Sequence, residues 1–175
     1  MRCTRWLWST PGRWRQEPKR DRGATVSTID PDWLETVRSQ YGHCFGCGLD
    51  NPIGLQIDDF ARDGDTISAR FTPRDGYRGF HDILHGGIVA TALDEVLAWT
   101  AIIVVGTMAV TAKMEMKFRK PAPVEGEYQL HGRLVEKRGK RLLLEASCSS
   151  RGEVIAEANA LFLATDPVPG PDLNR

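Results

Sequence analysis

A chain of 175 residues, 41% hydrophobic and 26% charged, is long enough for one domain and apolar enough to bury a core, which excludes wholesale disorder. Its 23 basic and 23 acidic residues cancel, so no net field draws it to nucleic acid or to a membrane surface. Four cysteines are too few for a disulfide scaffold and read as reduced thiols, which points to a cytoplasmic protein.

The neutral total hides a division. Residues 1–25 carry a net +5 and three of the five tryptophans, whereas residues 26–175 carry −5. No apolar stretch of signal-peptide length follows the first charges, because Arg5, Pro11, Arg13 and Arg15 interrupt it. The segment fits a basic-aromatic arm or a disordered extension upstream of a start at Val26, and the expectation is the disordered extension. The globular domain then covers residues 26–165, and residues 166–175 form a Pro-rich tail.

Asp30-Pro31-Asp32-Trp33 predicts a helix start, with Asp30 as N-cap and Pro31 in the first helical position, running to about Gln40. A loop rich in Gly, Asn and Pro follows, YGHCFGCGLDNPIGL. Within it, His43, Cys44 and Cys47 offer three zinc ligands. A tetrahedral site wants a fourth, and neither Cys3 nor Cys148 has suitable spacing, so the expectation is no metal and no cofactor. Residues 55–62 and 65–72 read as strands flanking Asp63-Gly64, a hairpin signal.

Between Gly86 and Ala112 the only charges are Asp94 and Glu95. Residues 85–104 are apolar almost all round, the pattern of a helix enclosed by protein. The uncharged run over residues 96–112 is 17 long, short of the roughly 20 a membrane span requires. After Gly106 the period changes to two, with Val110, Ala112, Met114, Met116 and Phe118 on one face, until Pro121 and Pro123 end the strand. Further strands are predicted over residues 128–135, 142–148 and 154–164. The last is apolar on both faces, which suggests cover by a second subunit. The order implies an α+β domain: an antiparallel sheet wrapped around one long buried helix.

His85-Gly86-Gly87 falls where the loop becomes that helix. Glycines there let the backbone approach a ligand, and the first helical N–H groups lack internal partners, so the terminus suits a developing negative charge. Asp94, two and a half turns on, is a carboxylate that is costly to bury unless something uses it. Glu95 is turned about 100° away and is assigned to solvent or interface pairing. Two basic groups remain, Arg119-Lys120 after the strand and Lys137-Arg138-Gly139-Lys140-Arg141 in a turn. They fit solvated surface, or a grip on phosphates.

The combination of HGG, six intervening residues and Asp, with HCFGCGLDNPIGL before it and KFRKPAP after it, resembles hot-dog acyl-CoA thioesterases of the hydroxybenzoyl-CoA thioesterase-like superfamily over residues 40–165. The resemblance implies the hot-dog fold and hydrolysis of an acyl-CoA thioester. By it, Asp94 activates water or attacks the carbonyl, the Gly87 N–H polarises that carbonyl, and Thr111 orients the water. His85 touches the carbonyl or bonds the loop backbone, and Gly86 lines the substrate site. Arg119, Lys120, Lys137, Arg138, Lys140 and Arg141 contact the CoA phosphates. It also implies a homodimer or homotetramer whose sites combine helix residues of one subunit with strand residues of the other. Some relatives carry Asn or Gln six residues before the HGG histidine, where this chain has Gly79; His81 and Asp82 are the substitutes at hand. Two rivals are a non-catalytic acyl-CoA-binding module, against which Asp94 speaks, and an enoyl-CoA hydratase, which wants a His on the helix near its Asp.

Overall fold

The computed structural model describes the backbone of residues 6–9 and 13–16 and the whole of residues 29–168. Strands β1 (Trp6–Ser9) and β2 (Arg13–Gln16) pair antiparallel, with Trp8 opposite Trp14. These two stretches lie within the segment expected to be a disordered extension, and tryptophan, which both contain, is a strong strand former. The rest of residues 1–25, and residues 169–175 of the tail, lie outside the described residues.

Helix α1 (Pro31–Ser39) starts as predicted. Asp30 caps it, its carboxylate accepting from the N–H of Asp32 at 3.0 Å and of Trp33 at 3.4 Å. Trp33 and Val37, four apart, form its buried stripe. β3 (Asp58–Asp63) and β4 (Thr66–Phe71) form the hairpin, with the turn one residue later than expected: Gly64 and Asp65 lie between the paired Asp63 and Thr66. Gly64 has φ +59°, which a side chain would strain.

Helix α2 (Gly86–Thr100) runs into a single π-helical turn, Ala101–Val105, and stops at Gly106, left-handed at φ +73°. The chain then doubles back as β5 (Thr107–Phe118), followed by β6 (Tyr128–Arg138), β7 (Arg141–Ser150) and β8 (Glu153–Pro167). The six strands β3 to β8 form one antiparallel sheet in the order β3-β4-β6-β7-β8-β5, with α2 against it. By length and composition Gly86–Val105 is apolar enough to cross a membrane; here it is the core helix. Leu93, Val96 and Leu97 are wholly buried against Ile67, Leu130, Leu144 and Phe162 from four strands. α2 approaches β6 so closely that a Cβ on Gly132 would lie 2.2 Å from Thr100 Oγ1 and 2.8 Å from the Val96 carbonyl oxygen. That crossing needs glycine.

Two features of the sheet bear on function. Among the described residues β5 pairs only with β8 and its other edge is open over twelve residues, with Val110 and Phe118 more than half exposed. In β8, Ala156, Ala158, Ala160 and Phe162 are buried as one face, while Leu163 reaches the surface. Ile155 is also buried, because the register shifts beside it and its carbonyl turns to accept from the N–H groups of Arg119 and Lys120.

Candidate active site

The site is built around the two ends of one stretch of α2. At its start, His85 is the N-cap: its imidazole Nδ1 accepts from the Gly87 N–H at 3.0 Å. This settles how His85 bonds its own loop and changes which amide is available. The Gly87 N–H, expected to polarise a carbonyl, is already held by the ring, whereas the Gly86 N–H has no partner among the described residues. Gly86 lines a cavity of about 440 Å³ with Ile83, Val89, Phe118, Arg119 and Lys120. The free donor, the helix dipole and the apolar walls thus belong to Gly86.

The departure at Gly79 has a steric origin. A Cβ there would sit 2.9 Å from His85 Cα, so no larger residue fits beside the cap. The proposed substitutes do not fill the gap: Asp82 is paired with Arg78 at 2.5 Å, and His81 packs edge-on against Phe80 with centroids 4.2 Å apart.

Further along, Asp94 is half-buried, and its Oδ1 accepts from the Thr111 hydroxyl at 2.7 Å. Asp94 makes no ion pair among the described residues, and no side-chain hydrogen bond reaches its Oδ2. β5 doubles back along α2, so the helix carboxylate and the strand hydroxyl come from the same chain. That corrects the expectation that they come from different subunits. The separation that matters lies elsewhere: Gly86 and Asp94 are eight helical residues apart, an advance of about 12 Å. One thioester carbonyl cannot touch the donor and face the carboxylate of the same chain.

The basic residues divide in the same way. Arg119 donates to the buried carboxylate of Glu157 at 2.7 Å from Nε, and Lys120 pairs with Glu153 at 2.6 Å. Both sit at the Gly86 end of β5 and are committed to acidic partners rather than free. Lys137, Arg138, Lys140 and Arg141 flank the exposed turn at Gly139, with Arg138 donating to Glu136 at 2.6 Å. The register places Lys137, Leu142, Phe162 and Thr111 in one row across the sheet. Eight strand residues, about 26 Å, separate that row from Arg119. The two basic groups are not brought together within one chain.

The sequence reading missed Glu95. Its carboxylate turns inward, accepting from the Trp99 indole N–H at 2.9 Å and lying 3.8 Å from the Cys44 thiol. Desolvation raises its carboxyl above the ordinary range, against the hydrogen bonds from Cys47 and Trp99. Burial, then the negative charge of Glu95, pushes the Cys47 thiol up. A signal was present in the sequence: the cost argument applied to Asp94 holds equally for its neighbour on a helix apolar almost all round.

Comparison with known proteins bears on the fold and on the family this chain resembles. Residues 81–157, from the loop before HGG into β8, match the thioesterase superfamily. The bovine (Bos taurus) acyl-coenzyme A thioesterase THEM4 is 25% identical over 166 residues, which is 89% of this chain and 68% of that protein. The E. coli PaaI protein from the phenylacetic acid degradation operon superposes with a TM-score of 0.61 at 16% identity, covering 77% of this chain and 98% of PaaI. A Streptococcus mutans protein bound to acetyl CoA superposes with a TM-score of 0.58 at 17% identity, covering 63% of this chain and 88% of its own. With its antiparallel sheet around one long helix, this chain has the hot-dog fold of these structures, and its residues 81–157 are similar to the thioesterase superfamily.

Proposed function

We propose that this protein hydrolyses acyl-CoA thioesters to a free carboxylic acid and coenzyme A, with Asp94 as the acid group at the reaction centre. The observation that carries this reading is the Asp94–Thr111 pair, a carboxylate on an apolar helix held at 2.7 Å by one hydroxyl with its second oxygen free. As a base, Asp94 takes a proton from water as the water oxygen attacks the thioester carbon; the thiolate of CoA leaves and is protonated. As a nucleophile it would form an anhydride that water then opens. The Gly86 N–H at the helix terminus is the donor for the oxyanion.

Since that donor and Asp94 lie about 12 Å apart on one helix, each site takes Gly86 from one copy and the Asp94–Thr111 pair from another. The open β5 edge supports this homodimer: a long unpaired strand with exposed Val110 and Phe118 is a template for a second copy. A homotetramer would use the outer sheet face, where Val135 and Leu143 are exposed. The exposed turn of Lys137, Arg138, Lys140 and Arg141 then meets the CoA phosphates, in a cytoplasmic enzyme.

The test is release of free thiol from short, long and aromatic acyl-CoAs, with Asp94→Asn beside the wild type. Turnover on at least one class, reduced by about 10²-fold or more in a folded Asp94→Asn, is expected. Absence of release from every class, or wild-type turnover in the variant, overturns the reading.

A further inference from the structure

Glu95 is the one charged side chain of α2 that the proposed chemistry leaves unused, and it faces the two cysteines of the CFGC loop. We propose that Cys44, Cys47 and Glu95 form a binding site for a divalent ion of the zinc type, which clasps the loop over residues 41–57 onto the middle of α2.

The donor atoms of all three residues lie within 4.8 Å of one another. Cys44 Sγ is 3.8 Å from Glu95 Oε2. A tetrahedral zinc ion with bonds of about 2.3 Å to sulfur and about 2.1 Å to oxygen sets that edge at about 3.6 Å, so the cluster already approaches its metal-bound dimensions. The carboxylate is aimed as a ligand is aimed. The Trp99 indole N–H holds Oε1 at 2.9 Å, and this leaves Oε2 turned to the sulfurs, an outer-shell hydrogen bond that orients an inner ligand.

The loop is shaped for the same purpose. The Cys44 N–H donates to the Tyr41 carbonyl at 2.8 Å, and the Gly48 N–H donates to the Cys44 carbonyl at 3.0 Å, winding the CxxC segment into a tight turn. A Cβ on Gly46 would sit 1.9 Å from Glu95 Oε2, and one on Gly48 would sit 2.3 Å from the Gly42 carbonyl oxygen. Gly46 therefore lies directly against the carboxylate, and Gly48 packs against the backbone of its own loop, closing the turn. The spacing of the two cysteines is that of a zinc ligand pair; the third ligand is Glu95, 48 residues on, rather than the exposed His43 that the sequence places beside them.

Two thiols and one carboxylate suit zinc over magnesium or calcium, because thiolate is a soft ligand. On binding, Cys44 and Cys47 each form a metal–sulfur bond and release a proton to solvent, and Glu95 contributes one oxygen. Two thiolates, one carboxylate and Zn²⁺ leave a net charge of −1, and a water completes the tetrahedron.

The experiment uses the purified full chain, reduced and stripped of metal, titrated first with Co²⁺ and then with Zn²⁺. One Co²⁺ per chain is expected, with thiolate-to-metal charge-transfer absorption and the intense visible bands of a tetrahedral ion, all abolished by stoichiometric Zn²⁺. Cys44→Ser and Cys47→Ser should each weaken the charge-transfer band, and Glu95→Gln should raise the Co²⁺ dissociation constant by about 10²-fold or more. Zn²⁺ should raise the melting temperature of the wild type and not that of Cys47→Ser. No charge-transfer band in the wild type, or unchanged spectra in both serine variants, overturns the site. A Glu95→Gln protein that binds Co²⁺ as tightly as wild type overturns the assignment of the third ligand.

Discussion

At the scale of single residues, Thr111 and His85 make separable predictions. Thr111 donates to Asp94 at 2.7 Å, so Thr111→Val removes that donor at nearly constant volume, whereas Thr111→Ser keeps it. Thr111→Val should lower kcat by about 10-fold or more, from the loss of one hydrogen bond to a charged group, and Thr111→Ser should stay within a few-fold of wild type. Equal activity in the two variants would remove the hydroxyl from the mechanism. His85 acts through the helix cap. His85→Ala leaves the Gly87 N–H without its partner and should destabilise the fold by about 1 kcal/mol, as for loss of an N-cap, measured by denaturant titration. An unchanged midpoint would mean that water replaces the imidazole at no cost.

At the scale of elements, the crossing of α2 and β6 is a close joint in the core. Gly132→Ala drives a methyl group into Thr100 Oγ1 and the Val96 carbonyl, and a helix backbone yields less readily than a side chain. A loss of about 2 kcal/mol or more is expected. Gly76→Ala is the control: nothing lies within 4 Å of the added Cβ, and stability should hold to about 0.5 kcal/mol. The turn between β6 and β7 has a functional test. Replacing Arg138 and Arg141 together by Ala should raise KM for acyl-CoA, flatten its salt dependence and leave kcat near wild type, since these exposed cations would hold the nucleotide equally in ground and transition states. An acyl-pantetheine substrate, which lacks the nucleotide, should be indifferent to the change. The same loss on both substrates would make the turn ordinary surface.

At the scale of the whole molecule, the 12 Å between Gly86 and Asp94 ties activity to assembly. Val110 lies on the open β5 edge and is 56% exposed in the single chain. Val110→Asp would set two carboxylates at a paired edge. It should shift the protein toward monomer in sedimentation experiments, and specific activity should then fall on dilution and recover at high protein concentration. Full activity in a demonstrated monomer would mean that one chain holds a complete site.

Much of this was legible in the sequence because it depends on short-range order. The Asp30 cap, the apolar run from His85 and the alternation after Gly106 each lie within one element, and an element's period follows from its own backbone geometry. Asp94 stood out for the same reason, as a charge where the pattern allows none. The tertiary structure alone decided which groups those residues meet. Gly86 rather than Gly87 keeps its N–H because the His85 ring turns back onto the helix it caps. Thr111 serves the Asp94 of its own chain because the π-turn and left-handed Gly106 send β5 back along α2. Glu95 meets Cys44 and Cys47 across 48 or more residues of sequence because Gly46 lets the loop lie against the Glu95 carboxylate and Gly48 lets the loop turn tightly on itself. Such contacts depend on the close approach of distant segments, and no local period records them.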